Sequence, residues 1–303
     1  MQVPQRHETV KNQIVVGVDD SPAGHSALEW AATRAAHLRS PLTLVRVVPG
    51  PWYFRHASRY LEAMNQGAAL LASQAHRVSV PDIELTVATT LRTGDTARTL
   101  RTLSREADMI VVGTDRRPDR HGDGFGSISF QTAAISKCVV TVVPPTGPEQ
   151  KAGVVVGTSG SADSAVAVER AALEALRLSQ DLTVVHACEG HDSPTAEGSE
   201  DRTGGKPAGA CIVLSSAAAR LARSHPGLKV HPVLETGRSP AQSLIAAGSQ
   251  ALLLVLGGKG PEELEALIGS VARDVLMDTR CPTLITRPAP TRNPQPSERP
   301  NHR

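Results

Sequence analysis

The chain has 303 residues, about twice the common domain size of roughly 150, and with 40% hydrophobic and 20% charged residues it has the balance of an ordinary globular protein. Its 32 basic and 30 acidic side chains leave a formal charge of +2 and only 2% of residues are aromatic, so neither the basic face nor the stacking platforms of a nucleic-acid binder are expected. The four cysteines, Cys138, Cys188, Cys211 and Cys281, lie far apart without a CxxC pair; this argues against a disulfide framework or zinc site and predicts reduced, mostly buried thiols.

Residues 1–12 are polar and read as a disordered start, and no later apolar run approaches the roughly 18 residues of a membrane helix. A cytoplasmic protein with no membrane partner is therefore expected. Ile14 to Asp19 then reads as a short apolar strand ending in a carboxylate. Ser21-Pro22 follows as a helix cap with proline at the first helical position, and Ala27, Ala31, Ala35 and Leu38 recur at helical spacing. A second strand is predicted at Leu42 to Val47. After a helical stretch come a third at Ile83 to Leu91 and a turn at Gly94, then a fourth strand at Met109 to Gly113. A charged loop leads to Gly126-Ser127, which opens another helix, and Cys138 precedes a last strand, Val139 to Val143. The composition Pro-Pro-Thr-Gly-Pro-Glu-Gln-Lys marks a linker.

Beyond it the same landmarks return in the same order. Val154 to Ser159 is again a strand with Ser161 as cap, followed by Ala165, Val168, Ala172 and Leu176 at helical spacing. Leu182 to Ala187 matches the second strand, Lys229 to Glu235 the third with Gly237 at its turn, and Leu253 to Gly257 the fourth. Gly269-Ser270 matches the helix start, and Cys281 precedes Thr283 to Ile285. The chain thus reads as a duplication. Its parts are a start over 1–12, domain 1 over 13–145, a linker over 146–151, domain 2 over 152–287 with a mobile insertion at 191–209, and a disordered proline-rich tail over 288–303.

Strands alternating with helices require crossover connections, so each copy is expected to be an α/β unit of Rossmann-like type, a five-stranded parallel sheet with helices on both faces. Ligands in such sheets settle at the C-terminal strand ends, where strand order reverses. Asp19, Val47 and Gly113 fall at those ends, and a glycine turn opening a helix offers backbone N–H groups to phosphate. Plainer readings stand beside these: Asp19 as a helix cap, Gly113 and Gly257 as turn residues, and Arg116 as a solvated loop charge.

With its strand order, its strand-end Asp and the spacing Gly-x2-Gly-x9-Gly-Ser/Thr, the chain resembles the universal stress protein family, twice, over nearly all of residues 13 to 287. That resemblance implies the adenine nucleotide alpha hydrolase-like fold and a bound ATP, with Mg2+ as an accompanying ion. The adenine would lie near Asp19 and Val47, and the triphosphate over Gly113, Gly126 and Ser127, with Arg116 standing where the second signature glycine belongs. In copy two Gly257, Gly260, Gly269 and Ser270 are all present, but the loop is one residue short and Ser159 replaces the Asp. Between Gly113 and Gly126, Arg116, Arg117 and Arg120 balance Asp115, Asp119 and Asp123. Between Gly257 and Gly269, Lys259 faces Glu262, Glu263 and Glu265, so copy one is the better expected phosphate site.

Three other patterns fail on spacing or residue type: the P-loop-like Gly204-Gly205-Lys206, the dinucleotide-like Gly122 to Gly126 and the elbow-like Gly157 to Ser161. His186 with Cys188 reads as a half-buried strand edge rather than a metal pair. A regulatory ATP-binding stress protein is the expected function. A scaffold with degenerate sites and a slow ATPase are the alternatives, and no residue pair reads as a general acid and base. The resemblance also implies pairing through the last strand of each copy, within the chain or in a homodimer.

Overall fold

A computed structural model describes residues 13–78, 84–114, 128–145, 150–188, 205–258 and 268–288. The first half runs β1 (Ile14–Gly17), α1 (Pro22–Leu38), β2 (Leu42–Val48), α2 (Ala57–Arg77), β3 (Val87–Thr93), α3 (Thr96–Leu103), β4 (Met109–Gly113), α4 (Ile128–Ile135) and β5 (Val139–Val143). The second half repeats this as β6 (Val154–Gly157), α5 (Ala162–Arg177), β7 (Leu182–Cys188), α6 (Gly205–Ser224), β8 (Val230–Thr236), α7 (Pro240–Gly248), β9 (Leu253–Gly257), α8 (Ser270–Met277) and β10 (Thr283–Thr286).

Among the described residues these strands form one ten-stranded sheet in the order β3-β2-β1-β4-β5-β10-β9-β6-β7-β8. Within each half every pairing is parallel, and β1 and β6 each have a neighbour reached by a crossover on either side, which is the switch point of a doubly wound unit. At the centre β5 and β10 run antiparallel, with Thr283 opposite Val142 and Ile285 opposite Val140, so the final strand of each half covers the edge of the other.

Alternation along the strands sorts the core into two faces. In domain 1 Ile14, Val16, Leu42, Leu44 and Val111 pack under α1 and α2, as Val154, Val156, Leu182, Val184 and Val255 do under α5 and α6 in domain 2; Val15, Val45, Ile110 and Val112 pack under α3 and α4, as Val155, Val185, Leu254 and Leu256 do under α7 and α8. Alanines form the contact stripe of the helices over the first face, Ala27, Ala31 and Ala35 on α1 and Ala167, Ala171 and Ala175 on α5, all fully buried. Short side chains there let the helices sit close to the strands, which is how a chain so poor in aromatic residues fills its interior.

Several expectations need correction. The third strands begin and end later, at Val87–Thr93 and Val230–Thr236, because each pairs over the full length of its neighbour, Val48 with Thr93 and Cys188 with Thr236. Pro232 is accommodated in β8 because that strand is an edge. On α5 Leu176 is exposed and Ala165 only half-buried; the buried stripe runs one position away, through Val168, Ala171, Ala172 and Ala175. α6 begins at Gly205, inside the stretch expected to be a mobile insertion, whose residues 191–204 lie outside the described ones. The thiols are less buried than expected: Cys281 is buried, Cys138 and Cys188 are half-buried, and Cys211 is exposed. Burial nonetheless pushes the Cys138 thiol up to about 12, against the neighbouring Arg287 guanidinium, and the Cys281 thiol up to about 11.

The two halves also meet through charge. Glu174 on α5 is fully buried and accepts a hydrogen bond from Arg34 on α1; Arg170 at 2.8 Å and Arg177 at 3.2 Å flank the same carboxylate. Burial alone would raise the Glu174 pKa, but the hydrogen bond from Arg34 and the three guanidinium charges together hold it below the usual carboxylate range. The 140 residues separating Arg34 from Glu174 also separate Ile14 from Val154 and Ser21 from Ser161. Equivalent positions of the two copies therefore touch, one occupied by a cation and the other by an anion.

Candidate functional site

Both copies build the same strand-end architecture, and each first helix is capped in the same way. Ser21 accepts from the Gly24 N–H at 2.9 Å and Ser161 from the Ser164 N–H at 3.3 Å, so each helix begins directly beyond its first strand. In domain 1 Asp19 braces that cap rather than providing it: its Oδ1 accepts from the Ser21 N–H at 3.1 Å and from the Ser21 hydroxyl at 2.6 Å. In domain 2 Ser159 stands in its place and donates to Ser161 Oγ at 3.0 Å.

The shorter residue has a local consequence. A Cβ added at Gly24 would lie 2.0 Å from Asp19 Oδ1 and 3.0 Å from the Asp19 carbonyl oxygen, so a side chain there would have to displace the Asp19 carboxylate from its bonds to Ser21. Domain 2, lacking the Asp, carries Ser164 at the equivalent position, with its hydroxyl on the Ser161 carbonyl at 2.8 Å and 3.4 Å from Thr158 Oγ1. Asp with Gly in one copy and Ser with Ser in the other are thus matched pairs.

Gly113 and Gly257 are also explained by packing. Neither has a positive φ, so neither is needed for an unusual turn. A Cβ at Gly113 would sit 2.5 Å from the Ala23 carbonyl carbon and 2.8 Å from the Gly24 nitrogen. At Gly257 it would sit 3.1 Å from the Asp163 carbonyl oxygen. Both glycines let the fourth strand of the unit approach the first turn of its first helix.

In domain 2 these elements enclose a cleft of about 320 Å3 at the C-terminal ends of β6, β7 and β9. Gly257, Gly269 and Ser270 line it, together with Ala187, the counterpart of Val47. Sequence reasoning missed Thr158, Asp163, Ser164 and His186 as lining residues; the only signal for them was their place just beyond a strand or in the first turn of a helix. His186 is held by a 2.7 Å hydrogen bond between its Nδ1 and the Thr158 carbonyl, as expected of a half-buried strand edge.

The start of α8 differs from those of α1, α5 and α7 at this end of the sheet. Ser21, Ser161 and Ser239 cap α1, α5 and α7 with side-chain hydrogen bonds, and Ser239 with Gln242 completes a capping box. The N-cap of α8 is Gly269, which has no side chain to give, and Ser270, Val271 and Ala272 of its first turn line the cleft. The first-turn N–H groups are thereby left for another acceptor.

In domain 1 Val47 is buried at the end of β2 and Gly113 ends β4. Arg116, Gly126 and Ser127, like Gly260 of domain 2, lie outside the described residues; α4 is described from Ile128. Arg46, where domain 2 has His186, reaches the Val18 carbonyl at 3.3 Å. Among the described residues no cluster of metal-ligating side chains occurs and no helix is long and apolar enough to cross a membrane.

The profile of the universal stress protein family matches residues 12–144 and 153–287. A universal stress protein of Mycobacterium tuberculosis strain H37Rv is 31% identical over 306 aligned positions, covering 90% of this chain and 94% of its own. One of Mycolicibacterium smegmatis is 31% identical over 297, covering 91% and 97%. A solved universal stress protein from Archaeoglobus fulgidus superimposes with a TM-score of 0.68 at 18% identity, over 91% of this chain and 98% of that one, which is a likeness of fold. With two profile matches, near full-length relatives and the strand order repeated in both halves, the chain belongs to the universal stress protein family as a tandem member.

Proposed function

We propose that the chain is an adenine-nucleotide-binding regulatory protein of the stress response, taking ATP with Mg2+ at the strand-end clefts and acting through binding rather than turnover. The observation carrying this reading is the start of α8, where a glycine N-cap leaves backbone amides open to a cleft at the switch point. Its volume of about 320 Å3 lies within the usual range for ligand sites, and among the described residues no atom stands within 4 Å of where a Gly269 side chain would project. In this reading phosphates face the Gly269–Ser270 amides, and Ala187 and His186 border the base.

Domain 1 is proposed as the principal site. Asp19 offers Oδ2, which neither bond to Ser21 engages, as an acceptor for an adenine amino or ribose hydroxyl group. The arginines of 115–127 balance its loop, whereas the domain 2 cleft carries Asp163 at its wall and an acidic loop in its sequence.

Nucleotide released from denatured purified protein, followed by calorimetric titration with Mg-ATP, tests the reading. Titrating Gly126→Ala/Ser127→Ala for domain 1 and Ser270→Glu for domain 2 assigns the sites. Ser270→Glu places a carboxylate where the helix dipole favours it, so it removes phosphate binding while leaving the fold intact. Absence of nucleotide both in the purified protein and on titration would refute the proposal.

A further inference from the structure

A second cavity, of about 400 Å3, lies on the seam between the halves, at the N-terminal ends of β9 and β10 and, because β5 runs antiparallel to β10, beside the C-terminal end of β5. One wall is α1, through Trp30, Thr33 and Arg34; the other is domain 2, through Leu252 and Leu253 at the start of β9 and Pro282 before β10. Pro144 and Pro145, just past β5, close it from domain 1. It shares no lining residue with the domain 2 cleft, and it exists only because the two halves are docked.

Its chemistry is mixed in a definite way. The walls are leucine, proline and the face of Trp30, while Arg34, Lys151, Arg177 and Arg280 line it against Glu29 alone, a formal balance of +3. Including the ion-pair partners Arg170 and Glu174, which cancel, and Asp278, 3.8 Å from Arg280, still leaves a balance of +2. Arg34 is 5% exposed, its terminal nitrogen is held by Glu174 and its guanidinium lies over Trp30 at 5.8 Å, while its buried Nε has no hydrogen-bond partner among the described residues. An apolar cavity ringed by surplus cations favours an anion carrying an apolar body.

We propose that this seam cavity is a binding site for a small amphipathic organic anion, an acyl or aryl group bearing one carboxylate or phosphate. The apolar body occupies the space between Trp30, Leu252 and Pro282, and the anionic head meets Lys151, Arg177 and Arg280 at the rim. Because its walls come from both halves, the bound anion ties domain 1 to domain 2 and raises the melting temperature with the logarithm of ligand concentration above its dissociation constant. The proposal is independent of the nucleotide reading.

The chain contains two tryptophans, and Trp52 is 82% exposed, so Trp52→Phe leaves Trp30 as a reporter inside the cavity of the full-length protein. Titrating that variant with octanoate and with octyl phosphate should change Trp30 emission saturably at one equivalent per chain, and the better of the two identifies the head group. Octan-1-ol should bind at least about tenfold more weakly, since it has no charge to offer. Lys151→Glu with Arg280→Glu should weaken the anions about tenfold and spare the alcohol. Thr33→Phe, at an exposed position on the wall, should block all three ligands, and thermal melts confirm that the variants fold. Saturating Mg-ATP should not displace octanoate. The proposal is overturned by the absence of saturable binding of either anion, by equal binding of the alcohol, by indifference to the double charge reversal, or by displacement with ATP.

Discussion

Removing the Glu174 carboxylate, as Glu174→Leu, exposes what the buried charges at the seam contribute. Arg170 and Arg177 are each about one-third exposed and can turn toward water, but Arg34 at 5% cannot, so the substitution strands one cation between the halves. Unit charges about 4 Å apart interact by about 4 kcal/mol at an effective dielectric of about 20, and breaking a buried pair from one side costs about 3–5 kcal/mol. A loss of that size lowers the melting temperature by roughly 10 °C in a chain of this length. Arg34→Met combined with Glu174→Leu removes both charges and replaces them with apolar volume, which is often nearly neutral. The double variant should therefore be more stable than Glu174→Leu alone, with a coupling of about 2 kcal/mol or more in a urea-denaturation cycle. Additivity within about 0.5 kcal/mol would refute the assignment of Arg34 and Glu174 as a coupled buried pair. The same geometry bears on pairing, because docking two identical halves would set Arg34 against its own copy or Glu174 against its own, and like charges in such a place repel.

Glu174 also sets an acid dependence. Its pKa is depressed in the folded chain, so its contribution is complete above the ordinary glutamate value of about 4.3 and is lost as pH falls through the depressed one; wild type should lose more stability than Glu174→Leu in acid melts across that window. Gly113→Ala should cost about 1–3 kcal/mol, because the new Cβ meets helix backbone at 2.5 Å, whereas Gly257→Ala, first contacting an oxygen at 3.1 Å, should cost clearly less; equal melting shifts would contradict the packing account. Alkylation of native protein at pH 8 followed by peptide mass spectrometry should modify the exposed Cys211 and leave Cys138 and Cys281, with thiols raised to about 12 and about 11, unmodified until denaturant is added.

Much of this molecule is local in origin and so legible along the chain. The apolar strands, the Ser21 and Ser161 caps, the glycine N-cap at 269 and the 140-residue displacement are properties of short stretches, and together they determine two doubly wound units in tandem. The edge strands were misplaced by a few residues because their limits come from the neighbours they pair with, and those neighbours lie far away in sequence. The buried stripe of α5 shifted from Leu176 to Ala175 for a related reason: which side of a helix is covered depends on the sheet beneath it. Only the tertiary structure decided that Gly113 serves the approach of a helix and that Arg34 meets Glu174. Each is a contact between segments that nothing local brings together. Duplication can be read from one strand of letters, but the seam exists only where the two copies touch, and that is where their differences in charge acquire a physical meaning.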